Sequence, residues 1–286
     1  MTNNSSRKTD LLTGNLYIVA TPIGNREDIS SRAITILKSV DQILAEDTRH
    51  KKQLLIPLGI TTPLTSLHAH NETDKSDELI LALQQGRSFA LISDAGTPLI
   101  SDPGYPLVKK ARLLDIPVIP IPGPCALIAA LSASGVPCDT FTFIGFLPAK
   151  STARRETLES LKTAEHTIVF YESTHRINDC INDISNILGS DCELVLAKEL
   201  TKSFETFISG RCQDVQDWLI ADKAHCKGEF VLILPPREQP SHQSDHQHLL
   251  SVLLSELPLK QAVKIACKLT GAHKNELYKI ALDTIN

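Results

Sequence analysis

Two short clusters of acidic and basic side chains each follow an apolar segment of the sequence. The first contains two carboxylates, an arginine and a histidine, and the second contains a carboxylate and an arginine. The six residues are Glu46, Asp47, Arg49, His50, Glu172 and Arg176. A carboxylate or an imidazole can accept the proton of a substrate hydroxyl, and an arginine can hold a phosphate through two parallel hydrogen bonds. These residue types predict the two sides of a catalytic cleft, with Asp47, His50 and Glu172 as alternative general bases.

The same clusters also have a structural interpretation. Asp47 or Thr48 can cap the start of a helix, as Ser173 or Thr174 can in the second cluster. Ion pairs between exposed groups of this kind contribute little to stability. Capping and catalysis can be combined at one strand end, so both interpretations stay open.

Three turns rich in Gly and Pro follow apolar segments of strand length. They lie at residues 21–25, 93–98 and 122–126. Glycine lets the backbone approach a ligand closely, and proline holds a turn in shape. Because ligands of open α/β sheets bind outside the carboxyl ends of the strands, the turns predict one pocket lined largely by backbone. The sequence lacks the G-x-G-x-x-G and P-loop motifs, which argues against a dinucleotide fold and a P-loop NTPase.

Apolar segments alternate with helical periodicity through the first half, which is typical of a mostly parallel sheet with right-handed crossovers. After the third turn the pattern restarts and predicts a second α/β unit. In that unit we predict strands over 141–146, 167–171, 193–197, 204–209 and 229–234, with helices over 154–164, 176–188 and 212–220. The predicted organisation is a disordered tail (1–14), two α/β domains (15–122 and 123–235), a linker (236–248) and a helical tail (249–286).

The helical tail contains three short helical segments and a Gly-containing turn, which is typical of a helix-turn-helix. Its middle segment places Ala262, Ile265, Ala266 and Leu269 on one predicted buried face, opposite a row of lysines. The preceding linker is rich in Pro, Gln, Ser and His and has no apolar period, which favours a flexible segment.

The net charge of −4 gives no global positive field that would attract nucleic acid. Any RNA contact must therefore come from local basic patches, although a solvated helix face explains the tail lysines equally well. The candidate RNA-binding residues are Lys150, Arg154, Arg155, Lys260, Lys264 and Lys268.

The composition of the 286 residues, 42% of them hydrophobic, supports a substantial core. No apolar run has transmembrane length, and the polar first ten residues lack the apolar core of a signal peptide. The seven cysteines include no C-x-x-C pair, so neither a disulfide framework nor a metal site is predicted. We expect a cytoplasmic protein without membrane partners.

Seven motifs occur in a characteristic order, from the segment that begins at Leu16 to the second polar cluster. They lie at residues 16–25, 45–50, 93–98, 102–105, 122–126, 145–150 and 170–176. In these motifs the chain resembles the bacterial 16S ribosomal RNA (cytidine-2′-O)-methyltransferases, a family of the tetrapyrrole methylase superfamily. The resemblance extends to about Leu234, and the helical tail resembles the family's small C-terminal helix-turn-helix domain.

The resemblance implies a two-domain class III methyltransferase fold with S-adenosyl-L-methionine as the methyl donor. The acceptor would be the ribose 2′-hydroxyl of a decoding-centre cytidine in 16S rRNA, within the small ribosomal subunit, and the enzyme would be a homodimer. By the superfamily pattern, the donor pocket is formed by Pro22, Ile23, Asp94, Ala95, Gly96, Thr97, Cys125, Ala126, Tyr171, Gly228 and Glu229.

Two other functions stay open at this point. A methyltransferase that modifies a corrin or porphyrin ring would share the fold and the donor, so the fold alone does not separate it from an RNA enzyme. A DNA-binding regulator could use the helix-turn-helix, with the α/β part as an effector sensor. The first polar cluster, the basic patch at 150–155 and the tail favour RNA, and the acidic net charge argues against the regulator.

Overall fold

The computed structural model of the protein describes residues 13–237 and 242–285. Almost all of the predicted tail at 1–14 lies outside these residues. The described chain forms two compact units. The first contains residues up to 160 together with Thr167–Pro235, and the second contains Leu161–His166 and the helices after Pro236.

The first unit begins with a five-stranded sheet in the order β3-β2-β4-β1-β5, in which every pairing is parallel. Its strands are β1 (Leu16–Val19), β2 (Gln42–Ala45), β3 (Leu64–Ser66), β4 (Phe89–Ile92) and β5 (Val118–Ile121). Its helices are α1 (Ser31–Ser39), α2 (Thr48–Leu55), α3 (Glu72–Gln84) and α4 (Tyr105–Leu113), with 3-10 turns at Arg26–Asp28 and Ile56–Leu58. Apolar clusters cover both faces, which is why the central strand β4 is apolar throughout and fully buried. The predicted parallel sheet is confirmed.

The second sheet of this unit has the order β6-β7-β10-β8-β9. Its strands are β6 (Phe141–Phe146), β7 (Thr167–Ser173), β8 (Glu193–Lys198), β9 (Thr206–Arg211) and β10 (Glu229–Leu234). The helices around it are α5 (Ala126–Ala133), α6 (Ser151–Ser160), α7 (Ile177–Leu188) and α8 (Cys212–Ala221). Only β6 and β7 pair in parallel, and the other pairings are antiparallel. The connection over 199–205 is too short for a parallel crossover, so β8 and β9 form a hairpin.

Helix α5 brings the end of the first sheet against the second sheet. It begins just after the turn at 122–126, and its Leu127 and Leu131 pack on Val169 and Val231 of the second sheet. Ile23, from the turn after β1, belongs to the same apolar cluster. The turns at the carboxyl ends of the first sheet are therefore held beside the second sheet by a shared core.

The second unit contains three helices, α9 (His242–Glu256), α10 (Leu259–Thr270) and α11 (Lys274–Ile285). The predicted linker at 236–248 was partly wrong, because α9 already includes residues 242–248, while 238–241 lie outside the described residues. Residues 242–248 are polar and show no apolar periodicity, and the buried Leu250 of this helix comes only after them. None of the helices in the described part of the chain is long and apolar enough to cross a membrane.

The buried face of α10 also differs from the prediction. Ala262 and Ala266 are buried as expected, but Val263 completes the core, whereas Ile265 and Leu269 are exposed. The buried face of α10 is therefore shifted by about one residue from the predicted face. Gly271, in the left-handed conformation at φ 71°, ends the helix and begins the predicted Gly-containing turn.

Candidate functional site

The turns after β1, β4 and β5 meet the second sheet around a cavity of about 320 Å³. Hydrogen bonds join the turns to one another. The backbones of Thr21 and Gly96 exchange two, at 2.8 and 3.0 Å, and the Thr97 hydroxyl donates to the Pro124 carbonyl at 3.0 Å. The structure therefore brings the three turns together at one cavity.

Most residues of the predicted donor pocket line this cavity. They are Ile23, Asp94, Ala95, Gly96, Thr97, Cys125, Ala126, Tyr171 and Glu229. Pro22 and Gly228 are each adjacent in sequence to one of these residues but do not themselves line it. Gly228 instead exchanges two hydrogen bonds of 2.7 Å with the Thr174 hydroxyl, which holds the turn before β10.

Gly96 lines the cavity with a left-handed backbone. Its φ is +80°, and a Cβ there would lie 3.2 Å from the Ile23 Cγ2 atom. Side chains larger than hydrogen are strained in this conformation. Tyr171 also lines the cavity, and its hydroxyl accepts a hydrogen bond from the Leu127 amide at 3.0 Å. Burial raises the pKa of the Tyr171 phenol, so it stays neutral.

The first polar cluster lies at the end of β2 and the start of α2. Asp47 caps α2, because its carboxylate accepts a hydrogen bond from the Arg49 amide at 2.8 Å. The Arg49 side chain is 93% exposed and 3.9 Å from that carboxylate. Neither these two residues nor Glu46 line the cavity, and the side chain of His50 lies outside the described part of the structure. The structural interpretation of Asp47 is thus realised, and its catalytic role stays a prediction.

Lys51, a basic residue that the sequence did not identify as a site residue, is buried next to the first polar cluster. It is 4% exposed, and its ammonium donates to the Asp94 carbonyl at 2.5 Å. Burial lowers the pKa of Lys51, while nearby carboxylates act in the opposite direction. Burial also raises the pKa of Glu46, with the negative charge of Asp94 as a further cause.

Asp102 is a cavity-lining carboxylate that sequence reasoning missed as a site residue. Burial raises its pKa to about 6, and the negative charges of Glu46 and Asp94 add to this shift. A hydrogen bond with Ser93 and the charge of Lys51 partly oppose it. The motif at 102–105 contained the signal, an acid before a Pro-Gly turn, but nothing in the sequence indicated that this acid is desolvated.

The second polar cluster forms an internal ion pair. Glu172 lines the cavity, yet its carboxylate accepts from the Ser173 amide at 2.9 Å and pairs with Arg176 at 3.2 Å. Arg176 also donates to the carbonyls of Leu147 and Pro148. The guanidinium therefore holds the end of β6 against α7 and is not among the residues that line the cavity.

The basic patch after β6 is divided between interior and surface. Arg154 is buried, and its guanidinium pairs with the equally buried carboxylate of Asp183 at 2.6 Å. The predicted RNA contact of Arg154 is corrected accordingly, because a phosphate cannot reach this group. Arg155 also pairs with Asp183 but is half-exposed, and Lys150 is exposed. In the helical tail, Lys260, Lys264 and Lys268 are exposed on α10.

Family models match both parts of the chain. Residues 15–216 match the model described as Tetrapyrrole (Corrin/Porphyrin) Methylases, and residues 240–284 match the model described as RsmI C-terminal HTH domain. The helix-turn-helix prediction is thereby confirmed.

Curated relatives match over nearly the whole chain. The Ribosomal RNA small subunit methyltransferase I of Pasteurella multocida (strain Pm70) is 49% identical, covering 96% of this chain and 99% of the relative. The protein of the same name from Escherichia coli O157:H7 is 47% identical, covering 94% and 95%.

Solved structures share the fold at low identity. Uroporphyrin-III-C-methyltransferase from Thermus thermophilus aligns with a TM-score of 0.52 at 19% identity, covering 78% of this chain and 94% of that one. Diphthine synthase aligns with a TM-score of 0.58 at 12% identity, covering 78% and 90%.

Proposed function

The chain belongs to the tetrapyrrole (corrin/porphyrin) methylase family as a relative of the ribosomal RNA small subunit methyltransferases I, and we propose that it methylates 16S rRNA. The methyl group of S-adenosyl-L-methionine is transferred to the ribose 2′-hydroxyl of a cytidine in the decoding centre. The observation that carries this proposal is the continuous match to the rRNA enzymes, which includes the C-terminal unit.

The C-terminal unit also separates the proposal from ring methylation. The structural alignment covers 94% of the solved uroporphyrin enzyme but only 78% of this chain. The family model over residues 240–284 instead describes a helix-turn-helix domain of the rRNA group. A substrate as large as RNA gives such an added unit a purpose, whereas a single tetrapyrrole ring does not.

The residues around the cavity fit S-adenosyl-L-methionine. The donor carries a sulfonium and an ammonium, which the carboxylate of Asp94 favours, and its adenine suits the apolar walls at Ile23 and Leu200. Gly96 lets the backbone reach a ligand where a Cβ would already touch Ile23. When bound, the donor supplies a methyl group activated by the positive sulfur.

The protein contributes alignment and proton removal. A ribose hydroxyl is a weak nucleophile, so a positioned base that takes its proton assists the attack. The rest of the acceleration comes from holding the hydroxyl oxygen in line with the methyl carbon and sulfur. Among the basic residues, we propose that the exposed Arg49 holds a phosphate next to the target nucleotide.

The experiment that tests the proposal is methyl transfer from radiolabelled S-adenosyl-L-methionine to three acceptors. These are small ribosomal subunits that lack the modification, naked 16S rRNA, and a reduced uroporphyrin. We expect label in 2′-O-methylcytidine after nuclease digestion of the RNA. Label in the ring compound alone would assign the chain to ring methylation, and label in no acceptor would contradict methyltransferase activity.

The helical tail is proposed to add RNA affinity through Lys260, Lys264 and Lys268. Replacement of all three by Gln should lower the slope of log affinity against log salt by about two to three, because each neutralised phosphate contributes about 0.7–0.9 to the slope. Filter binding of 16S rRNA at several salt concentrations measures this. The matched control is Lys223→Gln on an exposed loop, which should leave the slope unchanged. An unchanged slope in the triple variant would remove these lysines from the RNA interface.

We further propose that the enzyme works in the cytoplasm as a homodimer on the small ribosomal subunit, in line with the family resemblance. Sedimentation equilibrium of the purified chain tests the dimer, since a mass of twice 31.4 kDa is expected.

A further inference from the structure

Four carboxylates line the cavity, and their surroundings differ. Glu172 is paired with Arg176, Glu229 is paired with Lys202 at 2.8 Å, and Asp94 accepts a hydrogen bond from the Asp47 amide at 3.4 Å. The remaining one is Asp102. Within residues 13–237 and 242–285, no Lys or Arg lies within ion-pair distance of Asp102.

The backbone that carries Asp102 is strained. Leu99 and Ser101 adopt left-handed conformations, with φ of 71° and 70°, although neither is glycine. Such conformations cost on the order of 1 kcal/mol each and persist where the surrounding structure enforces them, often at functional sites. The strained stretch places Ile100, Ser101 and Asp102 along the cavity wall. The loop is therefore shaped to present these residues to whatever occupies the cavity.

The groups that face Asp102 come from four elements. Glu46 follows β2, Asp94 follows β4, Lys51 lies on α2, and Tyr171 lies on β7. The two acids and partial burial oppose ionisation of Asp102, whereas Lys51 favours it. Tyr171 stays a neutral phenol because its own pKa is raised. With a pKa of about 6, Asp102 is ionised at neutral pH and is a stronger base than an ordinary carboxylate.

We propose that the carboxylate of Asp102 is the general base that accepts the proton of the ribose 2′-hydroxyl. This inference rests on the proposed function. As the hydroxyl proton passes to a carboxylate oxygen of Asp102, the hydroxyl oxygen forms the new bond to the methyl carbon. The electron pair of the broken carbon–sulfur bond returns to sulfur, which becomes a neutral thioether. The proton then leaves Asp102 for solvent. The charge of Lys51, which does not line the cavity, favours the ionised form of Asp102.

The test compares Asp102→Asn and Asp102→Glu with wild-type enzyme. We expect Asp102→Asn to slow single-turnover methylation of small ribosomal subunits about 10²-fold or more, as for the loss of a general base. Asp102→Glu, which keeps a carboxylate, should recover part of the rate. The wild-type rate should fall as the pH drops through about 6, and this inflection should vanish in Asp102→Asn. Asp115→Asn, at an exposed site after α4, is the matched control and should behave as wild type.

Two further measurements do not depend on turnover. Carbon NMR of the carboxyl groups should show a resonance that titrates near pH 6 in wild type and is absent in Asp102→Asn. Calorimetry with S-adenosylhomocysteine should give nearly the same affinity for both proteins, which also shows that the variant is folded.

Each outcome bears on a distinct statement. Wild-type enzyme that methylates no RNA would contradict the proposed function itself. Active wild-type enzyme together with an equally fast Asp102→Asn would overturn the role of Asp102. Loss of S-adenosylhomocysteine binding in a folded Asp102→Asn would make Asp102 a binding residue and would also overturn its role as the base.

Discussion

The ends of β2 and β4 in the first sheet and the end of β7 in the second present similar residue types in different states. At β7, Glu172 forms an ion pair with Arg176, and nearby Arg154 forms an ion pair with Asp183. At the first sheet, Glu46 and Asp102 are close to Asp94, and the buried ammonium of Lys51 acts on all three carboxylates.

The difference separates structure from chemistry. A buried charge with a well-placed partner is stable and unreactive, and removing the partner is costly. A partly desolvated carboxylate without an ion-pair partner has a raised pKa and is ready to take a proton. Carboxylates beyond the strand ends of the two sheets therefore serve stability at one sheet and are proposed to serve catalysis at the other.

The largest effect is expected where the paired region is broken. Asp183→Ala leaves the Arg154 guanidinium buried without its carboxylate, so the free energy of unfolding should fall by about 3–5 kcal/mol. Urea denaturation measures the change. The matched control is Asp191→Ala, which removes an exposed carboxylate 3.8 Å from Arg211 and should cost about 0–1 kcal/mol. Equal losses in the two variants would contradict a special role for the buried pair.

A smaller effect is expected at the cavity wall. Gly96→Val places a branched side chain at φ +80°, directly against Ile23, and should weaken S-adenosylmethionine binding about 10- to 100-fold, since overpacking costs about 1–3 kcal/mol. Gly135→Val is the matched control, because Gly135 has φ +74° but no atom within 4 Å of an added Cβ. Both variants carry backbone strain, but only Gly96→Val should lose affinity by calorimetry. Unchanged affinity in a folded Gly96→Val would remove this turn from the donor pocket.

The smallest effect concerns the unpaired region and has the opposite sign. The pKa of Asp102 is about 6 in the folded protein, above its ordinary value of 3.8, so the folded state loses stability as the pH rises from about 4 to about 6. Asp102→Asn should therefore be more stable than wild type at pH 7.5. The gain should be about 1 kcal/mol, well below the full shift because the carboxyl is partly exposed.

Most of that gain should disappear near pH 4, where Asp102 is protonated in the folded chain and about half protonated in the unfolded chain. Urea denaturation at the two pH values, with Asp115→Asn as the control, measures it. A gain of the same size at both pH values would show that the carboxylate is not destabilising in the free enzyme. A variant that is more stable and yet slower would show the trade-off expected of a catalytic group.

Much of the architecture followed from the sequence. Strands such as β4 could be located because a strand buried on both faces is a continuous apolar run. The turns that follow the strands were recognised because Gly and Pro have strong conformational preferences. The sequence indicates helix α2 only through its capping residues and predicts a linker over the first turns of α9, because polar helix faces carry little periodic signal.

The roles of the charged residues were less accessible. Sequence reasoning grouped Arg154 with the exposed Lys150, although a carboxylate 29 positions along the chain holds Arg154 in the interior. It placed the general base among Asp47, His50 and Glu172 and passed over Asp102. The mixture of parallel and antiparallel pairing in the second sheet was also unexpected, because the periodicity of apolar residues does not indicate the direction in which strands pair.

The sequence by itself determined the family, the succession of strands and helices, and the turns that surround the cavity, because these depend on residue preferences and neighbours along the chain. Only the tertiary structure decided which carboxylates are paired, which are desolvated, and that Lys51 lies beneath them. Desolvation and Coulomb energies depend on separations in space between residues remote in sequence. For that reason Glu172 and Asp102, two acids within recognisable motifs, differ in ion pairing and desolvation only once the chain is folded.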